Sequence, residues 1–243
     1  MMVTQQEKKE SKLEMTAGKP IIEIRNLAKS FGDQVVLKNV NLSLFKEENL
    51  VVLGKSGTGK SVLIKCIVGL MYPDEGEIIV FGKNIIAIKK KELNEIRKKI
   101  GFLFQSAALY DSMTVRQNLE FPLKRIKKEL NAKQITEKIE EALENVGLSD
   151  AMHKIPSQLS GGMKKRIGLA RTIIIDPEII LYDEPTTGLD PVTSDEISNL
   201  INSIQKKYHS ASIIITHDMA CAETIADRIV TLKDGEVYEG NIF

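Results

Sequence analysis

No apolar run in this 243-residue sequence approaches the roughly 18–20 residues that a bilayer-crossing helix needs. Ile173-Ile174-Ile175 and Ile213-Ile214-Ile215 are only long enough for the core of a strand or helix, so any membrane role must come through a partner. The N-terminal stretch Met1 to Lys19 is rich in Lys, Glu and Gln and lacks the apolar core of about 7–15 residues that marks a secretory leader. It reads as a frayed polar tail or an N-terminal helix. A charge excess is missing too. The 34 basic and 33 acidic residues leave +1, too little for strong bulk attraction to nucleic acid or anionic lipid. Only two cysteines occur, Cys66 and Cys221, both in apolar, helix-like settings without metal-ligand spacing. That usage fits structural thiols in a reducing cytosol. What is plentiful is core. With 42% hydrophobic residues the chain can fold as one large domain or two small ones.

The most informative stretch is Gly54-Lys55-Ser56-Gly57-Thr58-Gly59-Lys60-Ser61, set between the apolar run Leu50–Leu53 and the helix-like Val62-Leu63-Ile64. Strand, glycine-rich turn and helix start come in the order a phosphate-binding loop requires. Glycines let successive backbone N–H groups turn inward without a Cβ clash, and the helix opening at Gly59-Lys60 adds its positive dipole end. Lys60 can then reach the β- and γ-phosphates, while the Ser61 hydroxyl suits Mg²⁺. The competing reading is an ordinary strand–turn–helix.

Around this loop, Ile21–Arg25 and Val35–Leu37 flank a turn-bearing segment, Lys29–Asp33, in a small antiparallel sheet expected to run through Val40–Phe45 into the strand before the loop. Phe31 there is either an adenine-stacking ring or a strand-end core residue. A buried helix is expected over Lys60–Leu70, a strand over Glu77–Phe81, and a charged, solvated helix from Lys89 to Lys99. Ile100–Phe104 reads as a buried strand delivering Gln105 at its carboxyl end, where parallel α/β sheets place their sites. From Thr114 to Leu148 the spacing is helical, punctuated by Pro122 and Gly147. Ser160 is an N-cap candidate for a Lys/Arg-rich helix, with Gly161 and Gly162 leaving first-turn N–H groups open; a plain capped helix start is the alternative. The strand Glu178–Tyr182 ends in Asp183 and Glu184. Asp183 is placed to hold Mg²⁺ through water and Glu184 to deprotonate an attacking water, unless the pair is a helix cap. Ser212–Thr216 delivers His217 to the same sheet end as a γ-phosphate contact, while His153 and His209 lack such placement. A helix over Asp218–Arg228 and a hairpin around Asp234-Gly235 close the chain.

G-K-S-G-T-G-K-S, Gln105, L-S-G-G-M, I-I-L-Y-D-E, G-L-D and T-H-D in this order resemble the ATP-binding cassette (ABC) ATPase family over roughly Pro20 to Gly240. The resemblance implies an α/β fold with a P-loop NTPase core of mostly parallel sheet, an N-terminal antiparallel β subdomain and an inserted helical subdomain (about residues 106–176). The ATPase domain would cover 20–243 behind a tail over 1–19. It also implies ATP and Mg²⁺ as cofactors, with Gly54 to Ser61 binding ATP and Phe31 stacking on adenine. Lys60, Glu184 and His217 become catalytic, and Ser61, Gln105 and Asp183 the metal site, Gln105 also sensing the transporter interface. Ser160, Gly161, Gly162 and Met163 become the signature that binds the γ-phosphate of the opposite subunit, and Asp190 the acid of the loop across that interface. Partners would be a second copy and integral-membrane permease subunits, not nucleic acid. The location would be cytoplasmic and peripheral on the inner membrane face.

One departure is Met163, where the signature usually carries glutamine. The backbone donors survive that change, while the polar contacts of glutamine do not. The segments G-K-S-G-T-G-K-S-V-L-I-K, F-L-F-Q-S-A-A-L-Y-D-S-M-T-V and L-Y-D-E-P-T-T-G-L-D-P-V-T-S look most like the phospholipid-trafficking (Mla, or mammalian-cell-entry type) and solvent-tolerance branch. That likeness suggests a periplasmic lipid-binding subunit as a further partner. Other cargo, such as amino acids or lipoproteins, is the alternative. A soluble repair or translation ATPase fits less well, since neither a long coiled-coil insert nor a second cassette is present.

Overall fold

The computed structural model describes residues 18–242, so the polar-tail reading of residues 1–19 lies almost wholly outside the described residues. Its central element is β3 (Asn49–Leu53), five consecutive buried residues flanked by parallel strands on both sides. A strand covered on both faces needs no polar alternation, which explains the unbroken apolar runs here and in β7 (Ile179–Asp183) and β8 (Ala211–Thr216). With β6 (Ile100–Leu103), β9 (Arg228–Lys233) and β10 (Glu236–Glu239) they form a six-stranded sheet in the order β10-β9-β3-β8-β7-β6. Only β10 runs antiparallel, closing the Asp234-Gly235 hairpin on β9.

A second sheet, β2-β1-β4-β5, is antiparallel and built from β1 (Ile22–Phe31), β2 (Gln34–Leu44), β4 (Glu75–Val80) and β5 (Lys83–Asn84). The chain therefore leaves this sheet before β3 instead of running on through it. β1 also extends through Lys29–Phe31, confining the turn to Gly32-Asp33.

The two faces of β3 feed different cores. Leu50 and Val52 pack with β1, β2, β4 and the helices α1 (Lys60–Ile67) and α2 (Lys90–Arg97). Val51 and Leu53 pack with α3 (Val115–Ile126), α4 (Ala132–Asn145), α5 (Gly161–Ile173), α6 (Pro191–Tyr208) and α7 (Met219–Ile225).

Three helix ends differ from the sequence expectation. α1 stops short of Leu70 because Gly69 adopts φ +66°, with its N–H bonded to the Cys66 carbonyl and that of Leu70 to the Lys65 carbonyl, a Schellman closure. Pro122 sits inside α3 instead of ending it; the break comes later, before the Asn131 cap of α4. α7 ends at Ile225, and Arg228 opens β9.

Candidate functional site

Because β3, β6, β7 and β8 are parallel, their carboxyl ends share one edge. Leu53 pairs with Thr216, Asp183 with Ile215, and Leu103 with Tyr182. That register delivers the glycine loop, Gln105, Asp183-Glu184 and His217 to one place. Ser56, Gly57, Gly59, Lys60, Ser61, Gln105, Glu184, Thr187 and His217 line a single cavity of about 430 Å³, together with Val36 and Val62.

The loop turns from β3 into α1 at Gly59, whose φ of +100° a side chain would strain. Gly54 lacks room for a Cβ, which would sit 2.7 Å from Oγ1 of Thr58 and 3.3 Å from Cδ of Lys60. The lysine stem uses that space. Lys60 is 5% exposed, and its Nζ donates to the Gly54 and Lys55 carbonyls at 2.7 and 3.0 Å and lies 3.3 Å from Oε1 of Glu184. Oε2 of Glu184 accepts from Oγ1 of Thr187 at 3.0 Å and lies 2.8 Å from Nδ1 of His217. The carboxylate is thus clamped from three sides.

Oγ of Ser61 donates to Oδ1 of Asp183 at 3.2 Å. Burial pushes the Asp183 carboxyl above its usual range, against the pull of that bond. A hydroxyl beside a buried carboxylate is a hard-oxygen pair suited to Mg²⁺. No group of three or more His, Cys, Asp or Glu among the described residues could hold a metal by itself. An ion at Ser61 and Asp183 would share its coordination with phosphate oxygens, as Mg²⁺ does with a nucleotide. It would supply charge to offset the triphosphate.

The signature stretch lies elsewhere. Ser160 caps α5 by accepting from the Met163 N–H at 3.2 Å, as expected of an N-cap. Ser160, Gly161, Gly162 and Met163 line a separate cavity of about 370 Å³ with Asp190 and Thr193. Asp190 caps α6, accepting from the N–H and hydroxyl of Thr193 at 3.0 and 2.6 Å, and those bonds hold its carboxyl below the usual range. A Cβ on Gly162 would meet Cγ2 of Thr193 at 2.7 Å, so the starts of α5 and α6 are in direct contact. The Met163 side chain packs on the core around α5. Within one chain, then, the loop, the acids and His217 converge, while the signature and Asp190 form a second group.

Phe31 is 48% exposed, which rules out the strand-end core role. Nζ of Lys29 lies 5.4 Å from its ring centroid. Val36 of the neighbouring strand, not Phe31, is in the cavity wall.

Sequence reasoning missed Thr187 and Lys165. Thr187 follows the acids by three residues, but nothing in its spacing separates it from Thr186. Lys165 reads as one of several helix cations, yet it is buried and donates from Nζ to the Glu184 carbonyl at 3.0 Å. Burial pushes its pKa down to about 8, although Asp183 and Glu184 pull it upward. Between about pH 8 and the ordinary lysine value near 10.5, the unfolded chain binds one more proton at this site than the folded chain. The stability of the wild-type chain minus that of Lys165→Met should therefore rise with pH across this window and be flat below it. Chemical denaturation at stepped pH reads this difference.

These features define a P-loop nucleotide-binding domain, and the comparisons with known proteins narrow the class. The ABC transporter family model matches residues 37–187. A probable ribonucleotide transport ATP-binding protein, mkl, of Mycobacterium leprae is 43% identical over 208 residues, covering 86% of this chain and 60% of that protein. TRIGALACTOSYLDIACYLGLYCEROL 3 of Arabidopsis thaliana, chloroplastic, is 39% identical over 89% of this chain and 67% of its own length. The methionine import ATP-binding protein MetN of Legionella pneumophila is 40% identical, covering 92% of this chain and 66% of that protein. The dimeric post-hydrolysis structure of the ATP-binding cassette MJ0796, bound to ADP and Pi, superposes with a TM-score of 0.81 at 32% identity, covering 91% of this chain and all of that one. The chain belongs to the ABC transporter family, as a member of its ATP-binding subunits. It spans only about three-fifths of the length of the mycobacterial relatives it matches.

Proposed function

We propose that this chain is the ATP-hydrolysing subunit of a membrane transporter and closes as a dimer around two MgATP. The observation that carries the reading is the division of the site. Lys60, Ser61, Asp183, Glu184 and His217 stand at one cavity, and the first turn of α5 with Asp190 stands at another. Neither group alone surrounds a triphosphate. Placed head to tail, the loop of one chain and the signature of its partner do. The backbone N–H groups of Gly161 and Gly162 lie in a first helical turn, where a dipole and unpaired donors favour an anion. Phe31 stacks on adenine at the exposed end of β1, Lys60 binds the β- and γ-phosphates, and Gln105 senses the metal and the permease. Glu184 takes the proton of the attacking water while His217 holds the carboxylate and the γ-phosphate. Residues 106–176 act as the helical subdomain.

Among the described residues no helix is long and apolar enough to cross a membrane. In this reading the engine works on the inner membrane face through integral permease subunits, as the ABC transporter family membership supports. The cargo is phospholipid or another hydrophobic molecule, and a periplasmic lipid-binding subunit of mammalian-cell-entry type is the expected companion. This rests on the sequence segments between the site residues and on the Arabidopsis relative, which is named for a galactolipid. Import of a small solute is the second reading, favoured by the relatives named for ribonucleotide transport and methionine import. The test is capture of the natively expressed chain from mild-detergent membranes, followed by mass spectrometry. A permease with a periplasmic lipid-binding subunit supports phospholipid. A permease with a solute-binding protein moves the cargo to a small molecule. Ribosomal or repair proteins without any membrane protein would overturn the transporter reading.

A further inference from the structure

Helix α5 presents Ser160–Gly162 to the second cavity and buries Lys165 five residues beyond its cap. At 1.5 Å per residue the two points lie about 7.5 Å apart along one helix. A buried ammonium is costly to desolvate, and an apolar side chain of similar length could fill the slot without that cost. Its hydrogen-bond partner is a main-chain carbonyl, that of Glu184, so the bond fixes backbone geometry. That backbone is unusual. Glu184 has φ +50°, a conformation that a non-glycine residue keeps only where its surroundings enforce it. Its N–H is held by the Ile215 carbonyl at 2.9 Å, and its C=O accepts from Nζ of Lys165 at 3.0 Å and, over a longer 3.4 Å, from the Thr187 N–H. Both main-chain groups are thus pinned, and Lys165 is the tie that comes from another element. The carboxylate beyond them is shared by Lys60, Thr187 and His217.

We propose that Lys165 is a positioning residue that ties the helix completing the partner's nucleotide site to the backbone of the carboxylate acting on this chain's own nucleotide. The inference rests on the shared-site reading above. When the partner's phosphate closes on the first turn of α5, the helix shifts as a rigid body. The Lys165 bond carries that shift to the strained main chain of Glu184, and the torsion there re-aims the carboxylate. Each site thereby responds to closure of the other through one hydrogen bond between two rigid elements.

The test uses the full chain as wild type, Lys165→Met and Lys165→Gln, with steady-state hydrolysis followed against ATP concentration. MgATP-dependent dimer formation is measured for each in the Glu184→Gln background. Lys165→Met is expected to lower kcat about tenfold while KM stays within about twofold, the split of an interaction that matters beyond ground-state binding. Its Hill coefficient should fall from about 2 toward one, since two coupled sites set the upper limit. Dimer formation should persist, and Lys165→Gln, which keeps an N–H donor, should recover part of the rate. Should Lys165→Met fail to fold, Lys165→Gln carries the same readouts with a smaller loss. Unchanged kcat and Hill coefficient in a variant whose wild type dimerises would overturn this inference alone, as would a loss confined to KM. A wild type that does not dimerise with MgATP would overturn the shared-site reading and this one with it.

Discussion

Replacing Glu184 with glutamine is expected to stop ATP turnover while leaving ATP bound. Loss of a positioned general base typically costs about 10²–10⁴-fold in rate. Glutamine matches the size of glutamate and can still accept from Thr187, which now lies 3.0 Å from Oε2. Its neutral amide cannot take a proton from water. The phosphate contacts of Lys60 and the first turn of α5 do not depend on that charge, so the closed dimer should accumulate. Light scattering with MgATP should give twice the single-chain mass for Glu184→Gln and a mixture for wild type; MgADP should give single chains for both. A hydrolysis rate within a few-fold of wild type would assign the base elsewhere.

The second large effect is expected at Lys60. Its Nζ bonds only main-chain carbonyls of the loop and faces Oε1 of Glu184 at 3.3 Å, so the ammonium is held at the mouth of the loop with its stem in the space left by Gly54. Hydrogen bonds to charged groups contribute about 1.5–3 kcal/mol each, so Lys60→Ala should weaken MgATP binding about 10- to 100-fold. Lys60→Arg should not restore it, because the planar guanidinium is broader than the slot beside Gly54. Equilibrium binding of a fluorescent ATP analogue reads both variants. Near-wild-type affinity of Lys60→Ala would move the phosphates away from this loop.

Much of the site was legible in the sequence because its signals are local. A glycine loop between an apolar strand and a helix declares itself in eight residues, and acids or a histidine at the end of an apolar run follow from strand length alone. The partition of strands between two sheets was not legible. β3 follows β2 in sequence, and only pairing with Ala211–Thr216 and Arg228–Lys233, far along the chain, draws it into the parallel sheet. Helix ends failed where one backbone conformation decided them. Gly69 ended α1 early through its positive φ, and Pro122 was absorbed into α3. Lys165 was hidden because a lysine among Lys164, Arg166 and Arg171 looks solvated until the fold turns its side chain inward. The exposure of Phe31 likewise depended on what the rest of the chain left uncovered.

The central claim is that each nucleotide site is built from two chains, and interchain crosslinking tests it most directly. Ser56 and Ser160 are both exposed and line different cavities of one chain. The native Cys66 and Cys221 are buried, with thiols pushed up by burial to about 11, so they should stay inert at neutral pH. One chain carrying Ser56→Cys is mixed with another carrying Ser160→Cys, both in the Glu184→Gln background, and treated with a short bifunctional thiol reagent. The account predicts a covalent dimer with MgATP and little without it, and none from either chain alone. A yield that ignores ATP, or no dimer from the mixture, would contradict the shared site.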